Sequence, residues 1–322
     1  MQDSPTASST MRIPYGCEAF GRLTHVMLHR PGESLRLINE SNRHRWLFDA
    51  VPDVDRYGEE HDRYRQLLTD HKVTVLELAD YVNHEHHRIA AMPNLTFLHD
   101  TAVITRRGAI LSCMAMDGRR HEHRVVREAL GNLGVPIFID FDETHDAFEG
   151  CLLLSPRTVL VAETERHNVR AIRRFIRKAL TVFEEVVYVD VPKARRYMHP
   201  DTIFNRITDR LALVYMPAFV RTVLHRRDRS EPIDFVRWMR GRGVELIHVS
   251  DLEQRRLACT FVPLEPGVMF HYDTALARET QIALARRGVE LILFHPEAIL
   301  AGGGSLRCHT LRLRRAASGS AD

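Results

Sequence analysis

The stretch "VVREALGNLGVPIFID", residues 125–140, contains the pattern that decides the fold. Apolar residues recur at helical spacing as far as Leu133, Gly134 interrupts them, and a run of aliphatic residues typical of a buried strand follows. The same order of amphipathic helix, short break and buried strand is present at residues 64–78, 175–190, 235–250 and 282–294. The sequence therefore predicts five copies of one helix–strand unit.

Further strand-like sequence precedes each copy, at residues 24–30, 101–113, 151–163, 207–216 and 259–272. The complete unit is then ββαβ, and regular repetition of such a unit is typical of closed circular or solenoid architectures. An ordinary α/β sheet, in which helices and strands alternate by necessity, is the alternative. Because five units leave nothing over at either end, we predict an α/β protein built as a five-bladed ββαβ propeller around a central active site.

Composition limits the classes of function. The chain has 322 residues, of which 44% are apolar and 27% charged, as in globular proteins with a large core. Its formal charge is +3, but basic and acidic residues alternate, so we expect no nucleic-acid partner. No apolar run is long enough to span a membrane and the polar N-terminus does not resemble a signal peptide, so we expect no membrane association. Five widely spaced cysteines indicate a reducing, cytoplasmic location.

The unit boundaries also predict the domain organisation. We expect one catalytic domain over residues 12–314, flanked by disordered tails at residues 1–11 and 315–322. The sequence is compatible with a homo-oligomer.

The stretch "AGGGSLRCHT", residues 301–310, places three glycines just before Cys308. A thiolate nucleophile needs access, a lowered pKa and a backbone that can approach the substrate closely, and Gly303 and Gly304 provide that freedom. The alternative is a plain turn with Cys308 buried as a small apolar residue. Arg307, next to the cysteine, either assists the thiolate or points to solvent.

Other unit junctions carry polar residues at similar points of the repeat. Asn94 and Asp100 flank one apolar segment, Glu149 precedes another, and His199 and Asp201 precede the fourth unit. Each of these residues alone is more often a turn or cap residue. Together with Cys308 they provide the parts of a Cys–His–carboxylate site for nucleophilic attack with acid–base help.

Two histidine clusters are candidate metal ligands, but neither has the HExxH spacing of a helical zinc site. We therefore expect solvated surfaces at His84, His86, His87, His121 and His123, and neither a metal nor a cofactor. Three of the other cysteines, Cys17, Cys113 and Cys259, fit core positions. Cys151 stays open, because it adjoins Glu149 and the predicted centre.

Seven segments occur in a fixed order: "YGCEAFGRLTHVMLHRPG" at 15–32, "LFDAVPDVDRYGEEHDRYRQLLTDHKVTVLEL" at 47–78, "PNLTFLHD" at 93–100, "FEG" at 148–150, "ETERHN" at 163–168, "MHPDT" at 198–202 and "GGGSLRC" at 302–308. In this the chain resembles the guanidino-group-modifying enzymes. It is most similar to arginine deiminase, and more distantly to the amidinotransferases and dimethylarginine dimethylaminohydrolase. The resemblance covers nearly the whole chain and implies a five-bladed ββαβ propeller.

The chain departs from arginine deiminases at two points. Their helical insertion before the PNL motif is missing, because "DYVNHEHHRIAAMPNL" crosses that point directly. Their EGGD motif reads Glu149-Gly150-Cys151-Leu152 here, which retains the glutamate and loses the second acid.

The residue types and the resemblance together predict catalytic roles. Cys308 attacks the guanidinium carbon, Asp100 and Asp201 clamp the guanidinium nitrogens, and His199, steadied by Glu149, acts as acid and then base. The resemblance further implies that Asn94, Arg119 and Arg166 hold the substrate carboxylate, with Gly303 and Gly304 lining the site. Arg120 is an equal alternative to Arg119.

The small-molecule substrate expected is L-arginine or another guanidino compound. The leading function is hydrolysis of arginine to citrulline and ammonia, with continuation to ornithine as an open variant. An amidinotransferase using the same covalent intermediate is the first alternative, and a catalytically idle binding protein is the second.

Overall fold

The computed structural model describes residues 12–17 and 19–316. The predicted tail at residues 1–11 lies outside the described residues, as do residues 317–322. The boundary predicted at residue 314 is too early, because Arg315 ends the last strand and is buried.

The described residues form strands with the following bounds: β1 Leu23–Leu28, β2 Thr74–Glu77, β3 Ala102–Thr105, β4 Gly108–Leu111, β5 Ile137–Asp140, β6 Leu152–Ser155, β7 Thr158–Glu163, β8 Glu185–Asp190, β9 Phe204–Arg206, β10 Leu211–Val214, β11 Arg221–His225, β12 Ser230–Pro232, β13 Glu245–His248, β14 Val262–Glu265, β15 Val268–Tyr272, β16 Glu290–Phe294 and β17 Leu311–Arg315. The α-helices are α1 Val54–Asp70, α2 His86–Ile89, α3 Glu122–Asn132, α4 Val169–Ala179, α5 Phe235–Arg240, α6 Asp251–Arg255, α7 Arg278–Ala285 and α8 Leu306–His309. Short 3₁₀ turns connect many of them.

These strands form five separate sheets within the described part of the chain. Their strand orders are β17-β1-β2, β3-β4-β5, β12-β11-β8-β7-β6, β13-β10-β9 and β14-β15-β16. In each sheet an antiparallel pair is followed by a parallel strand that lies beyond a helix, for example β3 and β4 followed by α3 and β5. The predicted α/β class and the order of helix and strand in each unit are therefore confirmed.

The first sheet joins the two ends of the chain. Strand β17 pairs antiparallel with β1, so that Val26 lies opposite Arg312, and β1 pairs in parallel with β2. Strand β17 also contacts β3 of the second sheet. The last strand thus completes a sheet that the first strand begins.

The third sheet is larger than the repeat predicts. Strands β11 and β12 extend it beyond β8, although residues 219–232 showed no strand pattern of the predicted unit. Their apolar content is low: within β11 only Thr222 and Leu224 are buried. Both strands, β12 at the sheet edge and β11 beside it, lack the long apolar run by which buried strands are recognised.

The helices pack one face against the sheets because their apolar residues recur every three to four positions. In α4 the buried residues are Ala171, Ile172, Phe175 and Ala179. The side chain of Asn168 accepts a hydrogen bond from the Ala171 amide and so satisfies a backbone donor at the start of this helix. Among the described residues no helix has the length and hydropathy to cross a membrane.

Candidate active site

Cys308 lies in the short helix α8 and is partly exposed to a cavity of about 530 Å³. Ser305 begins this helix, and its hydroxyl lies 3.5 Å from the Cys308 sulfur. The three glycines form the cavity wall beside the thiol. A Cβ on Gly302 or Gly304 would lie 2.5 Å from the Phe97 ring, so side chains at these positions are sterically excluded. Gly303 has a φ of +68°, which side chains rarely adopt.

His199 and Glu149 form a buried pair. Nε2 of His199 lies 3.0 Å from Oε2 of Glu149, and the other carboxylate oxygen accepts a hydrogen bond from the Ala115 amide at 2.8 Å. Burial disfavours the charge on Glu149, but the hydrogen bond and charge of His199 outweigh it and lower the pKa of this carboxyl to about 2. Burial alone would lower the pKa of His199, whereas the charges of Asp100 and Glu149 raise it above 6.5. The imidazole is therefore suited to carry a proton near neutral pH.

Asp100 and Asp201 face the same cavity as Cys308 and His199. Oδ2 of Asp100 accepts a hydrogen bond from Arg119 at 2.5 Å, while Oδ1 accepts none and lies 3.6 Å from Nδ1 of His199. Oδ2 of Asp201 accepts from Nε of Arg307 at 2.7 Å and lies 3.2 Å from the His99 ring. The cavity thus carries two buried carboxylates, one of which has an oxygen without a hydrogen-bond partner.

The Cys308 thiol is protonated in this environment. Burial, followed by the charges of Asp100 and Asp201, raises its pKa to about 12. A bound cation between the carboxylates would reverse the electrostatic part of this shift, because an opposite charge within a few ångströms favours the thiolate.

The predicted carboxylate-binding residues have different surroundings. Asn94 lines the cavity, and its amide nitrogen donates to the Trp46 carbonyl at 2.7 Å while its oxygen has no partner. Arg119 also lines the cavity, but its guanidinium is bound to Glu122, Asp100 and the Phe97 carbonyl.

Arg166 is not among the cavity-lining residues, because its side chain is buried beside Glu165 and the Met198 sulfur. The alternative residue Arg120 pairs with Asp117 on the surface. Of the arginines named from the sequence, only Arg119 reaches this cavity.

Arg195 lies at the cavity and was missed by sequence reasoning. It lines the cavity beside Gly303, its Nη1 lies 2.9 Å from Asp49, and its Nη2 donates to the Leu47 carbonyl at 2.5 Å. With its side chain 38% exposed, it is the more accessible of the two arginines at this cavity. Its sequence context, "PKARRYMHP", shows only a basic run before the MHP motif.

Two further buried residues contact Asp201 and so help to fix its position. His99 and Arg307 are both buried and both contact Asp201. Of the two expectations for Arg307, the one that it points to solvent is wrong, since its side chain is buried and donates to Asp201. Each is a sequence neighbour of a predicted catalytic residue, and that adjacency was the available signal.

The histidines of the two clusters are exposed, as expected, except His123; the expectation is wrong there, because His123 is buried with its Nε2 2.9 Å from Asp142. Cys17, Cys113 and Cys259 are buried, as predicted, and no described cysteine forms a disulfide. Cys151 is buried and, with Leu152, lines a small cavity that Glu149 and His199 also border. Burial raises the pKa of the Cys151 thiol. Within residues 12–17 and 19–316 no group of three His, Cys, Asp or Glu side chains is placed to hold a metal ion.

The sequence profile described as arginine deiminase matches residues 81–315, a span that contains every residue placed at the cavity except Leu47. The chain belongs to the arginine deiminase family. It is therefore a member of the guanidino-group-modifying superfamily, as the motif order indicated.

Arginine deiminase family members with similar sequences include the arginine deiminase of Rhodococcus erythropolis, which is 24% identical over 94% of this chain and 98% of its own length. Among solved structures, the N-terminal domain of ArgZ, an arginine dihydrolase of cyanobacteria, has a TM-score of 0.69 at 18% identity and covers 90% of this chain and 97% of its own. AgrE, solved with ornithine and NAD⁺, has a TM-score of 0.69 at 18% identity. The chain covers 39% of AgrE's length, so it corresponds to one part of that longer protein.

Proposed function

We propose that the chain is a hydrolase that cleaves a C–N bond of a guanidinium group through a covalent intermediate on Cys308, with free L-arginine as substrate. The observation that carries this proposal is the unpartnered oxygen of Asp100, buried in one cavity with Asp201, His199 and Cys308. A planar cation with several N–H donors satisfies such carboxylates, and a neutral substrate does not. Membership of the arginine deiminase family supports the same substrate class.

The first half-reaction begins when the guanidinium lies between Asp100 and Asp201. The Cys308 thiol loses its proton to solvent, because the guanidinium charge stabilises the thiolate. The thiolate then attacks the central carbon and forms a C–S bond. The terminal C–N bond of the tetrahedral adduct then breaks, and His199 donates its proton to the departing nitrogen, which leaves as ammonia. Glu149 acts through His199, because it keeps the imidazole oriented and protonated.

The second half-reaction returns the enzyme to its starting state. His199, now neutral, accepts a proton from water as the water oxygen attacks the amidino-thioester carbon. The C–S bond breaks, the thiolate is released, and the product is the urea of the substrate, citrulline in the case of arginine. One water is consumed, the extra proton of the urea passes to the released ammonia to give ammonium, and the Cys308 thiolate regains a proton from solvent, so atoms and charges balance.

The substrate carboxylate requires a cation at the other end of the cavity. Arg119 and Arg195 both line it, and Asn94 adds an unpartnered amide oxygen for the α-amino group. We assign the carboxylate to Arg195 together with Arg119, since Arg119 alone is already occupied by two carboxylates. Arg166 has no part in this assignment, because it does not line the cavity.

The central site also supports the proposed closure of the fold. We infer that the five ββαβ sheets close into a five-bladed propeller. The pairing of β17 with β1 and the contact of β17 with β3 support closure, because the last strand connects the first and second units. Residues that line the Cys308 cavity come from loops of several units, as expected for a central channel.

A dihydrolase that continues to ornithine is the second candidate. The missing helical insertion favours it, because ArgZ, whose N-terminal domain has a matching compact length, is an arginine dihydrolase. Amidino transfer uses the same thioester with an amine in place of water.

Product analysis tests these functions together. The protein is incubated with L-arginine, alone and with glycine or lysine, and the products are identified by mass. Citrulline and ammonia in equal amounts are expected; ornithine with two ammonia molecules would indicate the dihydrolase, and a guanidinylated acceptor would indicate transfer. A Cys308→Ser protein that converts arginine at the wild-type rate would overturn the proposed mechanism.

A further inference from the structure

A second cavity lies behind the Asp201–Arg307 pair, away from Cys308. Its lining includes Cys17, His99, Asn205, Arg206, Arg307 and Arg312, and we call it the arginine cavity. Asp201 does not line it, although Asp201 borders the Cys308 cavity. The two cavities are therefore separated by the contacts that Asp201 makes with Arg307 and His99.

Among the described residues that line the arginine cavity, side chains with positive charge outnumber those with negative charge. Arg307 is paired with Asp201. The Arg206 guanidinium donates only to backbone carbonyls, those of Thr208, Leu154 and Asp209. Neighbouring Arg315 likewise donates to the carbonyls of Gly21 and Pro263. Carbonyl oxygens satisfy hydrogen bonds but leave the charge of a guanidinium unbalanced.

Arg312 is the least compensated of the four arginines. Its Nε is shielded from solvent and has no hydrogen-bond partner among the described residues, although Arg312 as a whole is only partly buried. Burial, and then the charges of Arg307 and Arg315, lower the pKa of Arg312 well below 12.5. A guanidinium stays protonated in proteins, so the charge requires a counter-ion rather than loss of its proton.

We propose that the arginine cavity binds a small inorganic anion, held by Arg312 with the charges of Arg206 and Arg307 around it. An anion at this position supplies the acceptor that Nε of Arg312 lacks and balances the excess positive charge. Charge-assisted hydrogen bonds from guanidinium groups are among the strongest that proteins make to anions. Leu154 and Arg206 also line a neighbouring surface groove, which gives the ion a route from solvent. The proposal does not depend on the proposed function.

Thermal unfolding measures this binding. The wild-type protein is titrated with chloride and separately with phosphate, at constant ionic strength balanced with gluconate, an anion too large for the site. A ligand that binds only the folded state raises Tm along a saturating curve, by about 4 °C at 100 times the half-saturating concentration. Saturation by chloride alone identifies a monatomic ion, and saturation by phosphate identifies an oxyanion. No saturable rise with either ion overturns the proposal.

Arg312→Met removes the charge and keeps an unbranched apolar chain of similar length. This variant should lose the saturable response and, in gluconate, should have a Tm equal to or above that of the wild type, since an uncompensated charge has been removed. Arg210→Met, at a fully exposed position, should keep the wild-type response. An equal response in Arg312→Met would contradict the assignment. If that variant does not fold, an anomalous map from wild-type crystals soaked in bromide replaces it, and the absence of an ion beside Arg312 is then the contrary result.

Discussion

At the scale of single residues, charges from distant parts of the sequence shift the pKa values of the Cys308 thiol and the His199 imidazole. Asp100 and Asp201 raise the pKa of Cys308, while Asp100 and Glu149 raise that of His199. Both effects favour a thiol that stays inactive until a cation enters. Three predictions follow the same electrostatics.

Glu149→Gln tests the protonation of His199. His199 must carry a proton for the first departure, so the rate should fall as pH rises through its pKa, which lies above 6.5 in the native protein. Removing the Glu149 charge lowers that pKa, so the alkaline limb of the kcat profile should move to lower pH, with a rate loss of about 100-fold. Glu184→Gln, at an exposed position, is the matched control. An unshifted alkaline limb in Glu149→Gln would contradict the role of this pair.

Alkylation tests the activation of Cys308. A positively charged haloacetamidine should label Cys308 about 10-fold faster than neutral iodoacetamide, because its charge stabilises the thiolate between Asp100 and Asp201. Peptide mapping measures the label at each cysteine, and Cys308→Ser provides the background. Equal rates, with label spread over Cys17, Cys151 and Cys259, would show that Cys308 is not an activated nucleophile.

Arg195→Leu tests recognition of the substrate carboxylate. KM for L-arginine should rise about 10-fold, as for loss of a charged hydrogen bond at a partly exposed site, while kcat changes little. Agmatine, which has no carboxylate, should be a poor substrate of the wild type and should be unaffected by the substitution. Lys193→Leu, a nearby exposed cation, is the control. Equal turnover of agmatine and arginine by the wild type would refute a carboxylate site formed by Arg195 and Arg119.

At the scale of elements, the turn that contains Gly302, Gly303 and Gly304 positions helix α8. The Phe97 ring occupies the space that side chains at 302 and 304 would need, and Tyr272 donates a hydrogen bond to the Gly304 carbonyl at 3.1 Å. The glycines are thus required by close packing as much as by backbone freedom. Only the spatial neighbour, Phe97, explains why two of them are needed.

Gly304→Ala should destabilise the fold by about 1–3 kcal/mol and reduce activity strongly, since the new methyl group displaces Phe97 or the turn before Cys308. Phe97→Leu in the same protein should recover part of the stability. Urea unfolding and kcat measure the two effects. Gly131→Ala is the control: this glycine lies in α3 with no atom near its missing Cβ, so the change should stabilise the protein by up to about 1 kcal/mol. Equal stability of Gly304→Ala and the wild type would contradict the packing argument.

At the scale of the whole molecule, β17 links the end of the chain to its beginning. Leu311 and Leu313 are buried where β17 pairs with β1 and contacts β3. A substitution that removes buried atoms from β17 should therefore lower the stability of the first two units together, rather than only that of the C-terminal strand.

Leu313→Ala should lower the free energy of unfolding by about 2–5 kcal/mol, as for a fully buried leucine, with a single unfolding transition retained. Leu293→Ala removes the same atoms from a strand position that is 42% exposed and should cost less than half as much. Urea unfolding followed by circular dichroism and by fluorescence measures both. A similar decrease in the free energy of unfolding in both variants would contradict a single closed domain. Unfolding transitions that differ between circular dichroism and fluorescence would contradict it too.

The sequence by itself determined the α/β class, the helix–strand order of five units and several residues that line the Cys308 cavity, among them Asp100, His199 and Asp201. These follow from local patterns: hydrophobic periodicity sets each element, and the motif order identifies the family. The extension of the third sheet by β11 and β12 was not predictable in this way, because these two strands bury few apolar residues.

Only the tertiary structure decided how the charges pair. It places Arg195, and not Arg166, at the cavity. It also pairs Arg307 with Asp201 and leaves Nε of Arg312 without a partner among the described residues. These outcomes depend on which side chains meet across more than a hundred residues of sequence or between separate units. Hydrophobic periodicity shows which face of an element is buried, but a guanidinium is long and flexible and takes its partner from whatever acid or carbonyl the fold brings within about 3 Å. The identity of that partner is a property of the assembled molecule.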